Sequence, residues 1–304
     1  VKIMINFLKY RTICFMVSVT ILLIGSVVFF INYKKTGSGF LYHIDFVGGT
    51  ELTVSFEKPI KVATLRNSMG DKGWKDLTIQ SVGFGVEKSK YKEFIVRVGD
   101  TSDKIESKFE KDLDSAISDN KSKILGVSRV GAEVGKDIRW NAFLAVLLSI
   151  LIILIYVSIR SKYRFALGAV AAIIHDLLVV LVVFVVLREQ ISVAVLAAIL
   201  AILGYSLNDT IVIFSRIREN MKKLKGKSEV EIVNISLNQT LRRTLLTSFS
   251  TLLTVVSILI LGGEALHGFA LAMLVGIIAG TYSSIYIASP VMLAAGSPSK
   301  ISNQ

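Results

Sequence analysis

The chain has 304 residues, 52% of them hydrophobic, with three prolines, one cysteine and a formal net charge of +12. So apolar a composition places it among membrane proteins and argues against a soluble domain. Residues 33–136 carry 18 Lys and Arg against 15 Asp and Glu, so +9 of the net charge lies in the segments that flank apolar runs. That distribution is a topology signal. No basic stripe with interleaved aromatics accompanies it, so no nucleic-acid partner is expected. Cys14 has no partner for an intrachain disulfide, and it lies in an apolar run that disfavours a reactive thiolate.

Six stretches approach or exceed the roughly 20 apolar residues needed to cross a bilayer core of about 30 Å. The first, 13–31, follows Lys9 and Arg11 and lacks a small-residue cleavage site, which predicts an uncleaved anchor. The others are 138–159, 165–187, 193–215, 244–261 and about 268–293. Basic residues cluster before the first span, after the second (Arg160, Lys162, Arg164) and after the fourth (Arg216 to Arg243). By the positive-inside rule both termini are expected in the cytoplasm, including the tail 294–304, and 33–137 outside it.

That outer segment reads as a small α+β domain. Leu52 to Phe56 alternates as a half-buried strand does, and 61–69 reads as a helix closed by Gly70. Residues 77–82 and 93–98 are strand-like. Thr101 or Ser102 is expected to cap a helix over 104–118, whose apolar stripe is Ile105, Phe109, Leu113 and Ile117. A last strand over 124–134 completes the order β-α-β-β-α-β, a ferredoxin-like arrangement. Before it, Asp45-Phe-Val-Gly48-Gly49-Thr50 reads as a shaped turn entering the first strand, with two glycines free to take positive φ.

Charged groups inside a bilayer cost about 2.5 kcal/mol or more on insertion scales, so those present call for explanation. His175-Asp176 lies midway along the third span. Gly204-Tyr-Ser-Leu-Asn208-Asp209-Thr210 interrupts the fourth, with Asp209 roughly 9 Å inside its polar end. Asp209 shares a face with Ala201, Tyr205 and Val212, with Gly204 and Asn208 beside it, and small residues there would let a neighbouring helix approach. A carboxyl caught between desolvation and a nearby cation can take and lose a proton at ambient pH; equally, it can serve only to hold helices together. Arg243, where the fifth span begins, is either its counter-ion or a residue snorkelling to the headgroups. His175-Asp176 divides between proton relay and helix packing, since neighbouring residues point about 100° apart and cannot share one face. His43, His175 and His267 are scattered, and neither a Walker-type loop nor a metal-ligand cluster is present, so no enzyme, cofactor or metal site is expected.

Together these residues resemble the SecF family, the smaller membrane subunit of the bacterial SecD–SecF export complex. The resemblance is carried by the Asp45–Thr50 run, by His175-Asp176, by Gly204 through Arg218-Glu219, by Arg243-Thr-Leu-Leu-Thr-Ser248, and by Gly268-Phe-Ala, Gly276 and Gly280-Thr-Tyr-Ser-Ser284. It covers essentially the whole chain; Ser215 departs from it, standing where an aspartate is expected. The resemblance implies half of the twelve-span resistance–nodulation–division architecture in the bacterial inner membrane, with SecD supplying the other half. It implies use of the proton motive force to assist preproteins through the SecYEG channel, amid membrane lipid and without a cofactor. Asp209 would then be the protonatable carboxylate and Arg243 its functional arginine near SecD, with Asn208, His175 and Asp176 as accessory members of the path. Asp45, Gly48, Gly49, Thr50 and Gly204 would be structural. The competing readings are a non-conducting scaffold subunit and a small-molecule or lipid transporter of the same superfamily.

Overall fold

The computed structural model describes residues 4–74, 77–82, 91–102, 104–117 and 119–296. The expected end of a domain helix at Ser118 and the tail beyond 296 lie outside those residues. In chain order the elements are α1 (Arg11–Thr36), β1 (Gly49–Ile60), α2 (Val62–Asp71), β2 (Thr78–Val82), β3 (Tyr91–Val98), α3 (Ile105–Ala116), β4 (Ser122–Val130), α4 (Ala132–Arg160), α5 (Tyr163–Leu187), α6 (Val193–Lys223), α7 (Glu229–Leu261), α8 (Gly263–Ser283), a π-helical turn (Ser284–Ala288) and α9 (Ser289–Ala294). Two compact units emerge. One joins Val1–Leu41, Phe143–Leu261 and Leu266–Gln304; the other is Tyr42–Ala142 with Gly262–Ala265.

Among the described residues, six helices are long and apolar enough to cross a membrane: Phe7–Thr36, Ala132–Arg160, Tyr163–Leu187, Val193–Lys223, Glu229–Leu261 and Ala265–Ala294. Several outrun the apolar stretches. α6 continues past Ser215 to Lys223 and α7 starts at Glu229, so the basic segment between the fourth and fifth spans is largely helical. Apolar side chains of α1 and α4, among them Phe30, Phe143 and Ile155, are exposed, as lipid-facing residues are. α5 and α6 form the interior with the π-helical turn and α9, around Phe165, Ala169, Phe214, Ile217, Ala288 and Met292. Because lipid tails are as apolar as leucine, small residues must bring these helices together. Gly276 and Gly280, four apart on α8, do so: a Cβ at Gly276 would lie 2.3 Å from Ile202 Cδ1, and one at Gly280 3.0 Å from Ser206 Cβ.

The second unit holds a four-stranded antiparallel sheet in the order β2-β3-β1-β4, the ferredoxin-like arrangement. Leu52, Val54 and Phe56 of β1 and Phe94 and Val96 of β3 pack with Leu65, Met69, Phe109 and Leu113 from the helices. The stripe on α3 behaves as its spacing predicts, with Ile105, Phe109 and Leu113 at 1%, 0% and 1% exposure. Three local expectations change. Neither Thr101 nor Ser102 caps α3 through its side chain; Ser102 instead gives its amide and hydroxyl to the Asp100 carboxylate. Gly70 lies inside α2, and the left-handed residue that follows the helix is Gly73 at φ 93°. The last strand stops at Val130 because the chain turns helical at Ala132.

The glycine pair before β1 is obligatory. Gly48 and Gly49 take φ of 80° and 130°. A Cβ at Gly48 would meet Ala132 Cα at 2.6 Å, and one at Gly49 would meet the Val98 carbonyl oxygen at 2.5 Å. Thr50 is fully buried, and its hydroxyl donates to the Asp100 carbonyl at 2.7 Å.

Candidate functional site

Polar side chains gather inside the helical unit around two carboxyl groups, and α8 is the element that serves both. Its last three residues and the first of the π-helical turn form a run of four hydroxyl residues, Thr281-Tyr-Ser-Ser284. Successive helical residues turn by about 100°, so these four sweep most of the way round the axis and meet four different helices. Thr281 bonds Ser248 of α7 at 2.7 Å, and Tyr282 donates to the Cys14 carbonyl of α1 at 2.6 Å. Ser283 donates to Asp176 of α5 at 2.9 Å, and Ser284 pairs with Thr210 of α6 at 2.8 Å. The π-helical turn begins at Ser284, where such single turns often mark functional segments.

Asp176 is fully buried and well supplied. Its Oδ2 accepts from Ser206 at 2.6 Å and from Ser283, and its Oδ1 lies 3.2 Å from His175 Nδ1. Adjacent helical residues therefore do share a site here, contrary to the expectation from their 100° offset, because each side chain leans into the gap between them. His175 Nε2 lies 3.1 Å from Ser18 Oγ, which lies 3.1 Å from the Tyr282 hydroxyl.

The hydrogen bonds along this chain can run in either sense, since either hydroxyl of the Ser18–Tyr282 pair can donate and the roles of the His175 nitrogens follow its tautomer. With Ser18 donating to Tyr282, His175 gives Nε2–H to Ser18; with Ser18 donating to His175 Nε2, the ring gives Nδ1–H to Asp176.

Asp209 is as deeply placed, at 4% exposure, but poorly supplied. Its one hydrogen-bond partner among the described residues is Ser248 Oγ, 3.4 Å from Oδ2. Ser248 is also bonded to Thr281, whose hydroxyl lies 2.9 Å from the Ile277 carbonyl. The Ser248 hydroxyl donates to Asp209 Oδ2, so in that row Thr281 donates to Ser248. A protonated Asp209 would reverse the row, donating to Ser248, with Ser248 donating to Thr281 and Thr281 to the Ile277 carbonyl.

Arg243 acts on Asp209 through space, but the two make no ion pair among the described residues, and Arg243 is exposed. Asn208 and Gly204 lie on an exposed strip of α6 with Ala197 and Ala201. A Cβ at Gly204 would meet nothing within 4 Å, so the close approach expected there is not made by this chain's own helices. Sequence reasoning passed over Ser18 and Ser206 and gave Thr281 to Ser284 no chemical role; a run of four hydroxyls in an apolar helix was the available signal.

In the other unit, His43 heads the helical turn before the glycines. Its ring lies 3.0 Å from Asp45 and 3.1 Å from Glu51, and Glu51 accepts from Arg97 at 2.6 Å, which also donates to Gln80 at 2.8 Å. Burial acts to lower the His43 pKa, but the Asp45 and Glu51 hydrogen bonds together with the Asp45 charge outweigh it and raise it to about 9. The His43 hydrogen bond, aided by Arg97, holds Glu51 below the usual carboxylate range against the effect of burial.

Comparison with known proteins supplies the family. Residues 109–297 match the family described as protein export membrane protein SecD/SecF, C-terminal. The protein translocase subunit SecF of Vibrio alginolyticus is 38% identical over 295 residues, covering 96% of this chain and 90% of its own. The subunit SecDF of Thermus thermophilus is 41% identical over 258 residues, 84% of this chain and 34% of that protein. A crystal structure of SecDF from Thermus thermophilus, described as a translocon-associated membrane protein, superposes with a TM-score of 0.82 at 38% identity over 96% of this chain. This chain spans 39% of that SecDF chain. The chain belongs to the SecF family of multi-pass protein translocase subunits.

Proposed function

We propose that this chain uses the proton motive force, together with a SecD-type partner, to assist preproteins through the SecYEG channel of a bacterial inner membrane. The observation that carries the reading is Asp209: a carboxyl buried in the fourth span with one long hydrogen bond and a cation that acts on it without pairing. In this reading both termini are cytoplasmic, and 33–137 form an extracytoplasmic domain that moves as substrate emerges. The SecDF fusion supports the partner, since this chain matches 39% of it and leaves the exposed α6 strip uncovered.

The row Asp209–Ser248–Thr281 gives the proton a mechanical consequence. Loading Asp209 lets Thr281 stay on its own helix carbonyl; unloading it turns Thr281 toward Ser248 and changes how α7 and α8 are tied. A gradient of about 100 mV supplies about 2.3 kcal/mol per proton, enough to exchange one or two hydrogen bonds worth about 1 kcal/mol each. Arg243 supplies the charge that favours release. His175 and Asp176, already satisfied, hold the four helices in register and lie beside the path. Asn208 lies on the strip that would face the partner.

The test is preprotein export into membrane vesicles, read with and without a proton gradient. Asp209→Asn should abolish the gradient-dependent increment and leave ATP-driven export in place. An undiminished increment would sink the proton role. It would favour the scaffold reading, which the full hydrogen-bond complement of Asp176 supports on its own.

A further inference from the structure

Basic residues near a membrane edge usually face water, yet several here line a cavity. We propose that the space between the start of α5 and the end of α6 binds an anionic glycerophospholipid. The cavity measures about 490 Å³ and is walled by Lys162, Arg164, Arg218, Lys222 and Glu219 over a floor of Phe165 and Met221.

Its charge is unbalanced in a specific way. The single acid, Glu219, is engaged by Arg216 at 2.8 Å and Lys223 at 2.6 Å, neither of which lines the cavity. Arg164 is matched by Glu229 at 3.0 Å, but its Nε is buried with no acceptor. Among the described residues Arg218 donates to the Arg160 carbonyl and the Ser161 hydroxyl, at 3.0 and 2.7 Å, and to no carboxylate. Lys162 and Lys222 make no ion pair among the described residues. Three cations thus converge without a carboxylate of their own, and a phosphodiester fits that deficit.

A second observation turns an anion site into a lipid site. Ser215 and Arg218 also line an adjoining groove of about 180 Å³ between α4 and α6, with Tyr156, Val157, Ile211 and Phe214. Those four residues precede the polar rim by about one helical turn along both helices, so the groove runs from the charged cavity into the apolar depth of the span. A phosphate beside Arg218 with an acyl chain along Phe214 and Ile211 fills both. A free phosphate or an acidic peptide would use the cavity and leave the groove empty.

The experiment uses the full chain in detergent, with native mass spectrometry reading retained lipid. Phosphatidylglycerol should be retained on the order of tenfold better than phosphatidylcholine. The preference should weaken with salt, and Lys162→Gln/Lys222→Gln should lose most of it. Both lysine side chains are exposed and make no ion pair among the described residues, so the lipid-free unfolding temperature of the double variant should be unchanged. Equal retention of the two lipids overturns the proposal, as does a double variant that keeps the preference. Glycerol 3-phosphate displacing the lipid at equal concentration also overturns it, since that leaves an anion site alone. Asp209→Asn should keep the lipid preference, which separates this result from the proton reading.

Discussion

The hydrogen bonds around Asp176 make a prediction that separates two substitutions at one position. Asp176→Asn keeps an oxygen and a second polar atom where the carboxyl stands. Its oxygen accepts from Ser206 and Ser283, and its nitrogen donates to His175 Nδ1, so the pattern of 2.6, 2.9 and 3.2 Å contacts survives. The expected cost is within about 1 kcal/mol, close to one ordinary hydrogen bond. Asp176→Ala removes all three acceptor contacts at a site with no exposure. Ser283 can fall back on the Gly280 carbonyl at 3.2 Å, which leaves Ser206 and His175 unserved. At about 1–3 kcal/mol for each of these two buried orphans, about 2–6 kcal/mol is lost. Denaturant titration of the purified protein, followed by tryptophan fluorescence, measures both. If Asn proves as damaging as Ala, an oxygen accepting from Ser206 and Ser283 is not what sustains this site and the reasoning fails.

Two further outcomes follow from the second unit. His43 has a folded pKa raised above its unfolded value of 6.5, so its contribution is complete below about pH 6.5 and lost as pH rises through about 9; Glu51 has a lowered pKa, so its contribution fails as pH falls below its unfolded value of 4.5. Thermal unfolding against pH should therefore show a plateau between these limits, and His43→Gln should remove the alkaline edge, worth on the order of 1 kcal/mol after solvent screening. Gly49→Ala, strained at φ 130° and 2.5 Å from a backbone oxygen, should cost more than about 3 kcal/mol in an unfolding titration, whereas Gly37→Ala, at φ 73° with open space, should cost about 1 kcal/mol.

Much of this architecture was written in local pattern. Apolar runs marked six spans, period-two alternation marked the β1 core face, and the spacing of Ile105, Phe109 and Leu113 marked the buried side of α3. Asp209 stood out because a carboxylate in an aliphatic helix is rare. What pattern could not reach depends on which helices cross. Ser18, Ser206 and Ser248 are ordinary residues for a membrane helix, and only the packing of α1, α6 and α7 against α8 makes them partners. The offset between His175 and Asp176 misled for a related reason: angular position fixes where a side chain leaves the helix, not where its atoms end. Gly204 shows the same limit from the other side, since a small residue permits close approach without saying whether the approaching helix belongs to the same chain.

The two buried aspartates are the same chemical group one helix apart, and their surroundings suit them to different parts in the proposed proton path. Asp176 has three short partners from three residues, two of them on other helices, so changing its proton would break several bonds at once across α5, α6 and α8. Asp209 has one partner, at a distance where little is lost, and that partner belongs to a row whose protons can run in either direction. Changing its proton costs little on its own side and transmits the change to Thr281. Thr281 and Ser283 lie two residues apart on α8, so a shift that follows Asp209 is felt by a helix the Asp176 cluster holds fast. The proposed proton-driven role would draw on both properties together: a site that releases its proton easily, and a rigid neighbour against which the resulting movement can push.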